Sequence, residues 1–264
     1  IEEQWAVQLP PTPYDDAMLS ASVQDLQGRF NLNWLVTAQN QGFERNPEGI
    51  RQLARLINQS FPQEANGSRL ASEMADWLDS NNIVDDPEGA EDAEYRLSRT
   101  PNMPAAHESE LRALLGFEVI HQPRDAMVWG LLTALPVGTT LNVNTASPQV
   151  LDAVLGDLAG QAAVEAVLEA RKDEPVSDIG TLMALPAFND IAADVKQHIS
   201  SRLGVSSEYF QVMVDVEIDD QLSRLVTRLR RRSGQGETTD VFSRQVSPLL
   251  TALEPACNPF YNAD

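Results

Sequence analysis

The chain predicts an α+β fold: an antiparallel sheet whose strands come from the two ends of the sequence and bracket a large inserted all-α domain. Three observations predict it. LSASVQDL at residues 19–26 mixes apolar and polar positions as a half-buried strand does. Phe210, Val212, Val214, Val216 and Ile218 alternate with Gln211, Met213, Asp215 and Glu217, the period of two that puts one strand face in a core. Between these ends the apolar spacing changes to that of helices. The expected division is therefore 1–40 for the opening strand region, 41–204 for the inserted α-domain and 205–264 for the strands that complete the sheet.

Taken in order, the strand at 19–26 runs into GRFNLNWLV, which reads as the rest of the first sheet element. Asn46 ahead of Pro47 is a helix cap followed by a proline that needs no N–H, and Ile50, Leu53, Ile57 and Phe61 then share one helical face. Leu70, Met74 and Trp77 repeat that spacing. Further amphipathic segments cover 109–117, 125–135, 148–155, 160–171 and 189–203, separated by Pro or Gly. Asp219 and Asp220 make a turn, Leu222 to Arg230 returns as a strand, SGQGETT loops out, and Asp240 to Val246 supplies a third strand of a meander.

Composition narrows the function. Lys and Arg number 19 against 39 Asp and Glu, a net charge of −20, so phosphate backbones and anionic lipid surfaces repel this chain and nucleic acid is not an expected partner. With 264 residues, 42% of them hydrophobic, the chain can bury a core and divide into domains. A lone Cys257 excludes an internal disulfide. No apolar run reaches the roughly 18–20 residues of a membrane span. The opening IEEQWA has neither an initiator Met nor a signal segment, which reads as a fragment from which an N-terminal segment has been removed. His107, His121 and His198 are scattered, and no HExxH, Cys/His cluster or G-x-S-x-G elbow is present, so no catalytic residues are assigned and no enzyme is expected.

The densest chemistry lies in and just before DWLDSNNIVDDPEGAEDAEY, where nine carboxylates run from Glu73 to Glu94 without one Lys or Arg. Like charges this close repel in a compact fold, so the run either stays solvated or is gathered by a hard cation with oxygen ligands. Trp77, Leu78 and Tyr95 give it apolar anchors that an acidic tail lacks. The spacing is not that of an EF-hand: counting from Asp79, Ile83 sits where the fifth ligand belongs and no Gly follows.

SVQDLQGRFNLNWLV, DWLDSNN, GAEDAEY, SELRALLGF and TALPVGTTLNVNTASPQVLDAVL, followed by the strand meander, resemble in this order the K-type minor pseudopilins of bacterial type II secretion systems, the general secretion pathway protein K family. The resemblance implies a pseudopilin fold, an N-terminal helix on an antiparallel sheet, with a large α-domain inserted; the hydrophobic helix itself is missing here. It implies a structural role as the cap of a periplasmic pseudopilus in protein export, assembled with I-type and J-type minor pseudopilins, the full protein being anchored in the inner membrane beforehand. It also implies a calcium site around the D-W-x-D and G-A-E-D strings, with Asp79, Asn81, Asp85, Glu91 and Asp92 as the expected Ca²⁺ ligands. The competing expectation is a free-standing calcium-dependent binding module.

Two further motifs carry weaker signals. Residues 141–186 look like a helix-hairpin-helix unit, with Ser147 capping a helix at Pro148 and a second helix ending at Arg171 and Lys172. Its turns read GDLAG and LPAFND without Gly-x-Gly, and Asp152, Asp157, Glu165 and Glu169 surround them, so a packing module is expected rather than a phosphate grip. Arg228, Arg230, Arg231 and Arg232 form the one concentrated positive cluster, read as an acidic-partner contact or as charge guarding an edge strand. Trp5, Trp34, Trp77 and Trp129 are expected in cores or junctions.

Overall fold

In a computed structural model the chain is described over residues 9–61, 66–96, 98–119, 129–219, 221–232 and 238–249. It divides into one unit made of residues 1–26 and 208–264, and a second made of 27–207. Chain entry is a hairpin of β1 (Leu9–Tyr14) and β2 (Ala17–Asp25), turned at Asp15, which takes a left-handed φ of 52° that Asp tolerates. Pro10, Pro11 and Pro13 cannot donate to a ladder, and β1 accordingly lies at the sheet edge.

The second unit opens with β3 (Phe30–Asn31), a 3₁₀ turn over Leu32–Leu35, β4 (Val36–Gln39) and β5 (Gly42–Arg45). The GRFNLNWLV stretch is thus not part of the large sheet. Phe30, Leu32, Trp34 and Leu35 are buried in the core of the helical unit, and β3 pairs in parallel with β6 (Leu132–Thr133). The boundary expected at residue 40 therefore falls inside this unit, which begins at Gln27, because the density of large apolar side chains there is used against helices rather than strands. Asn31 and Asn33 hold the arrangement together. Asn31 Nδ2 donates to the carbonyls of Leu135 and Pro136 (3.1 Å each) and its Oδ1 accepts from Leu135 N (3.0 Å). Asn33 Nδ2 donates to Leu135 O (2.8 Å) and Ala105 O (3.0 Å), while its Oδ1 accepts from Ala105 N (2.8 Å).

α1 (Pro47–Ser60) starts where expected, Asn46 Oδ1 accepting from Glu48 N at 3.2 Å, and buries Leu53, Leu56 and Ile57. α2 (Gly67–Leu78) is capped by Asn66 and packs on α1 so closely that a Cβ at Gly67 would collide with the Ala54 carbonyl. The amphipathic 109–117 segment forms two 3₁₀ turns, Glu108–Ala113 and Leu115–Val119, in place of one helix. Residues 120–128 lie outside the described chain, with His121 and the start of the expected 125–135 segment, whose Leu132–Thr133 is strand. β7 (Leu141–Asn142) precedes α3 (Pro148–Leu151), a π-helical turn Asp152–Gly156 and α4 (Asp157–Ala159). α5 (Gln161–Ala170), α6 (Ile179–Met183), α7 (Ala193–Arg202) and β8 (Leu203–Gly204), parallel to β7, complete the unit. Ser147 caps α3 as expected, Oγ accepting from Val150 N at 3.2 Å. Arg171 turns inward, donating to Val143 O (2.6 Å) and Ala146 O (2.7 Å), and so serves packing, while Lys172 forms an exposed pair with Glu169.

The chain then returns as β9 (Tyr209–Ile218), β10 (Gln221–Arg232) and β11 (Thr238–Leu249), giving an antiparallel sheet of order β1-β2-β9-β10-β11. Leu26 N donates to Tyr209 O at 3.0 Å, so β2 and β9 remain neighbours although residues 27–207 intervene. Cross-strand rows Leu19–Val216, Ala21–Val214–Leu225–Val246, Val23–Val212 and Asp25–Phe210–Leu229–Val241 place most of the aliphatic side chains on one face. That face is not the closed core its alternation predicts. Phe210 is buried, but Val212, Val214, Val216, Leu225 and Leu229 are half-buried, and Val241 and Val246 are 50% and 68% exposed. Arg228 to Arg232 lie on β10, a strand flanked on both sides and not an edge. Arg230 pairs with Glu208 (2.7 Å), Arg232 with Asp240 (3.0 Å), Arg228 donates to Gln211, and the Arg231 guanidinium sits over the Phe210 ring. Trp5 and Cys257, residue 220 of the expected turn and most of the SGQGETT loop lie outside the described residues.

Asn33→Ala strands the Ala105 N–H and carbonyl and removes one of the two donors to Leu135 O, three buried hydrogen bonds worth about 1 kcal/mol each. The expected loss is about 3 kcal/mol, read as a fall of roughly 6–12 °C in the melting temperature of the helical unit.

Candidate metal centre

The acidic segment begins at the carboxyl end of α2, whose last turn carries no basic residue. Asp76 and Asp79 stand three residues apart there, on one face of the helix, and both are fully buried. A helix C-terminus is already the negative end of the backbone dipole, so two buried carboxylates at this point compound an unfavourable field. Asp79 Oδ1 accepts from Asn81 N (3.0 Å) and Asn81 Nδ2 (2.9 Å), while Asp79 Oδ2 is buried without a hydrogen-bond partner. Asp76 Oδ1 is paired with the Arg45 guanidinium, and Asp76 Oδ2 lacks a hydrogen bond of regular geometry, the Ala90 N–H near the carboxyl only easing its pKa downward. A Cβ at Gly89 would collide with that same Oδ2, so only glycine lets the loop close over it.

The exposed Asp85 is drawn in from the loop: one carboxylate oxygen each from Asp76, Asp79 and Asp85 lie within 4.8 Å of one another. Glu91, 2% exposed, accepts from Thr100 Oγ1 (2.9 Å) through Oε2, and its buried Oε1 has no partner. Asn81 stands behind Asp79, its own Oδ1 taken by Ile83 N at 2.7 Å. Asp92 turns elsewhere, accepting from Thr100 N (2.8 Å) and sharing the Thr100 hydroxyl (3.0 Å) with Glu91, with Arg99 3.8 Å from its other oxygen. Of the five residues singled out in the sequence, then, Asp79 and Asp85 meet in one group, Asn81 buttresses it, Glu91 is buried nearby in electrostatic contact with Asp76 and Asp79, and Asp92 binds Thr100. Asp76 was not singled out. Its signal is the DWLD spacing, two acids one helical turn apart at a helix end.

Burial dominates the protonation of this group. It pushes the Asp76 carboxyl up to about 7 against the opposing pull of Arg45, with the charges of Asp79 and Asp85 adding to the rise. Glu91 is pushed up to about 7 by burial, which outweighs its bond from Thr100, and Asp79 is raised for the same first reason. The Tyr95 hydroxyl, buried without a partner, is raised by burial and by Glu73, Asp76 and Glu91. Three buried carboxylate oxygens without a regular hydrogen bond, an all-oxygen donor set and a glycine-closed wall fit a hard cation such as Ca²⁺ and do not fit a metal that prefers nitrogen or sulfur.

Together the units define a class: an antiparallel sheet interrupted, between neighbouring strands, by a helical body with a buried acidic centre. Family models described as type II secretion system (T2SS), protein K, match residues 28–121 and 141–206, both within the helical unit. The chain is 32% identical over 239 residues to type II secretion system protein K of Pseudomonas aeruginosa, covering 87% of this chain and 66% of that protein. It is 28% identical over 247 residues to the protein of the same description from Aeromonas hydrophila, covering 84% and 70%. The chain belongs to the type II secretion system protein K family. It spans about two-thirds of the length of these relatives. The crystal structure of the GspK-GspI-GspJ complex from the enterotoxigenic Escherichia coli type 2 secretion system contains a chain with the same fold, at a TM-score of 0.75 and 23% identity over 92% of this chain and 84% of that one. Among the described residues no helix is long and apolar enough to cross a membrane.

In excess chelator at pH 8, Asp79→Asn removes a buried like charge while leaving an oxygen to accept from Asn81. The expected outcome is a melting temperature raised by a few degrees, about 1 kcal/mol, where deletion of a useful ion pair would lower it.

Proposed function

We propose that this chain serves as a minor pseudopilin of type II secretion, a structural part and not an enzyme, seated at the tip of a periplasmic pseudopilus beside I-type and J-type partners. In this reading the whole protein is anchored in the inner membrane before assembly. The observation that carries it is topological: residues 27–207 are inserted between two adjacent strands of the five-stranded sheet, whose aliphatic face stays half open. A head-to-tail filament grows as long as each subunit presents the next one with the same seat. A subunit carrying so large an insertion obstructs that seat and ends growth, while the open apolar face remains for an apolar element of the assembly to cover. Membership of the protein K family supports this reading, and so does the E. coli complex, in which a chain of this fold is assembled with GspI and GspJ. Mixed with the soluble domains of I-type and J-type pseudopilins from the same source, the chain is expected to co-elute as a complex with one copy of each in size-exclusion chromatography with light scattering. Elution of the chain alone at every concentration rules out these partners for the part of the protein in hand.

We infer in addition that the acidic centre holds Ca²⁺, through Asp76, Asp79 and Asp85 with Glu91 close behind. The ion would supply the positive charge that ties the end of α2 to the loop following it. At a hundredfold excess over its dissociation constant an ion bound to the native state alone stabilises by about 2.7 kcal/mol. Millimolar Ca²⁺ is therefore expected to raise the melting temperature by roughly 5–10 °C over chelator. Asp79→Asn is expected to abolish most of that rise. Identical melts of the unsubstituted chain in chelator and in Ca²⁺ exclude the ion.

A further inference from the structure

We propose that Arg45 sets the charge of the acidic centre, withdrawing one unit of negative charge from the Asp76, Asp79 and Asp85 group and so matching it to a divalent cation in preference to a trivalent one. The inference rests on the metal reading above and concerns a residue outside the acidic segment, contributed by another element.

Arg45 is the last residue of β5, and it is held there from both sides. Before it, Ser80 N donates to Phe43 O (3.0 Å) and Phe43 N donates to Ser80 Oγ (2.8 Å), which stitches β5 to the residues just beyond α2. After it, Asn46 N donates to Leu35 O (2.7 Å) and Asn46 Nδ2 to Trp34 O (2.8 Å). The Arg45 side chain is 14% exposed and its guanidinium meets a fully buried carboxylate, so this is an interior pair and not a surface contact that solvent screens away. The pairing also divides Asp76 between two tasks. One oxygen faces the guanidinium, the other lies under Gly89, and the carboxylate contributes an oxygen to the group shared with Asp79 and Asp85.

Three carboxylates against one guanidinium leave a formal charge of −2, which one divalent ion neutralises. Without Arg45 the group carries −3, which a trivalent ion of calcium's size neutralises instead. Glu91 adds to the surrounding field but does not lie in the group of oxygens that could share one ion, so the difference made by Arg45 stands whatever Glu91 contributes. Arg69, the neighbouring cation on α2, is occupied with Glu73 at 2.7 Å.

The test measures the affinities of Tb³⁺ and Ca²⁺ in the unsubstituted chain, in Arg45→Met, which keeps an apolar stem, and in Arg45→Lys, which keeps the charge. One unit of ion charge at a few ångströms, even heavily screened, changes binding about tenfold or more. The Tb³⁺-to-Ca²⁺ affinity ratio is therefore expected to rise at least about tenfold in Arg45→Met and to return to within a few-fold of the original in Arg45→Lys. If Arg45→Met does not fold without an ion, displacement from the loaded protein by a competing chelator reads the same ratio. An unchanged ratio in Arg45→Met, or a ratio in Arg45→Lys equal to that of Arg45→Met, overturns the role of charge and leaves Arg45 a packing residue. Failure of the unsubstituted chain to bind either ion overturns the metal reading and this inference together.

Discussion

Two carboxylates buried one helical turn apart at the negative end of α2 impose the constraint around which that end of the helical unit is organised. Desolvating Asp76 and Asp79 is costly, and nothing in the last turn of the helix offsets it. The compensation has to come from other elements, and the structure brings several of them to this point. β5 is fixed to Ser80 so that Arg45 reaches Asp76, Asn81 bends back to donate twice to Asp79, and Gly89 lets the loop pass over Asp76 where any side chain would strike it. Even so, three buried carboxylate oxygens remain without a regular hydrogen bond and two carboxyls are lifted to about 7. Such residual imbalance is a poor way to stabilise a fold and a direct way to hold a cation.

Elsewhere in the same unit, several buried amides and an arginine are answered by backbone groups of distant stretches. Asn31 and Asn33 each bridge separate stretches of chain, and Asn144 does the same with Val176 and Val205 through its Nδ2. Arg171 is desolvated, which lowers its pKa, yet two backbone carbonyls take its donors. Short helices and two-residue strands leave many backbone groups outside regular ladders, and amide side chains with both a donor and an acceptor are the economical partners for them. The hairpin at 141–186 fits the same pattern. Arg171 points into the protein to close a loop, and the exposed Lys172 is paired with Glu169, so neither is free to grip a phosphate.

Features with a local cause were legible in the sequence. Asn46-Pro47 and Ser147-Pro148 fix helix starts through chemistry confined to a few residues, and the alternation from Phe210 to Ile218 fixes a strand. What escaped depends on partners distant in sequence. GRFNLNWLV carries strand-like residues, but its aromatic and leucine side chains are claimed by α1 and α2, which moves it out of the large sheet. The alternation of β9 predicts a buried face, yet burial needs a second layer, and periodicity within one strand does not say whether that layer is present. The arginines of β10 read as edge protection until β11 is seen to pair along its length. In the acidic segment, density alone located the centre. Selection among its acids did not follow from density, because Asp76 is distinguished by its position on the helix and Asp92 by the accident of Thr100 beside it.

The arrangement of the acidic centre also bears on what an ion would do there. In a contiguous calcium loop nearly all ligands lie in one short segment, so the ion organises that segment alone. Here two carboxylates sit on the end of a helix and the third on an exposed part of the following loop, whose described residues between Ser80 and Thr100 form no helix or strand. The loop's local order rests on short-range bonds, Asn81 to Ile83 N and Asp86 to Glu88 N, with Asn102 tying it to residues 81 and 82 from outside. None of these bonds attaches Asp85 to the helix. Mutual repulsion among the three carboxylates works against that attachment, and a divalent cation reverses its sign. Ion binding and closure of the loop onto α2 are in this reading one event, with Arg45 setting how much repulsion there is to overcome.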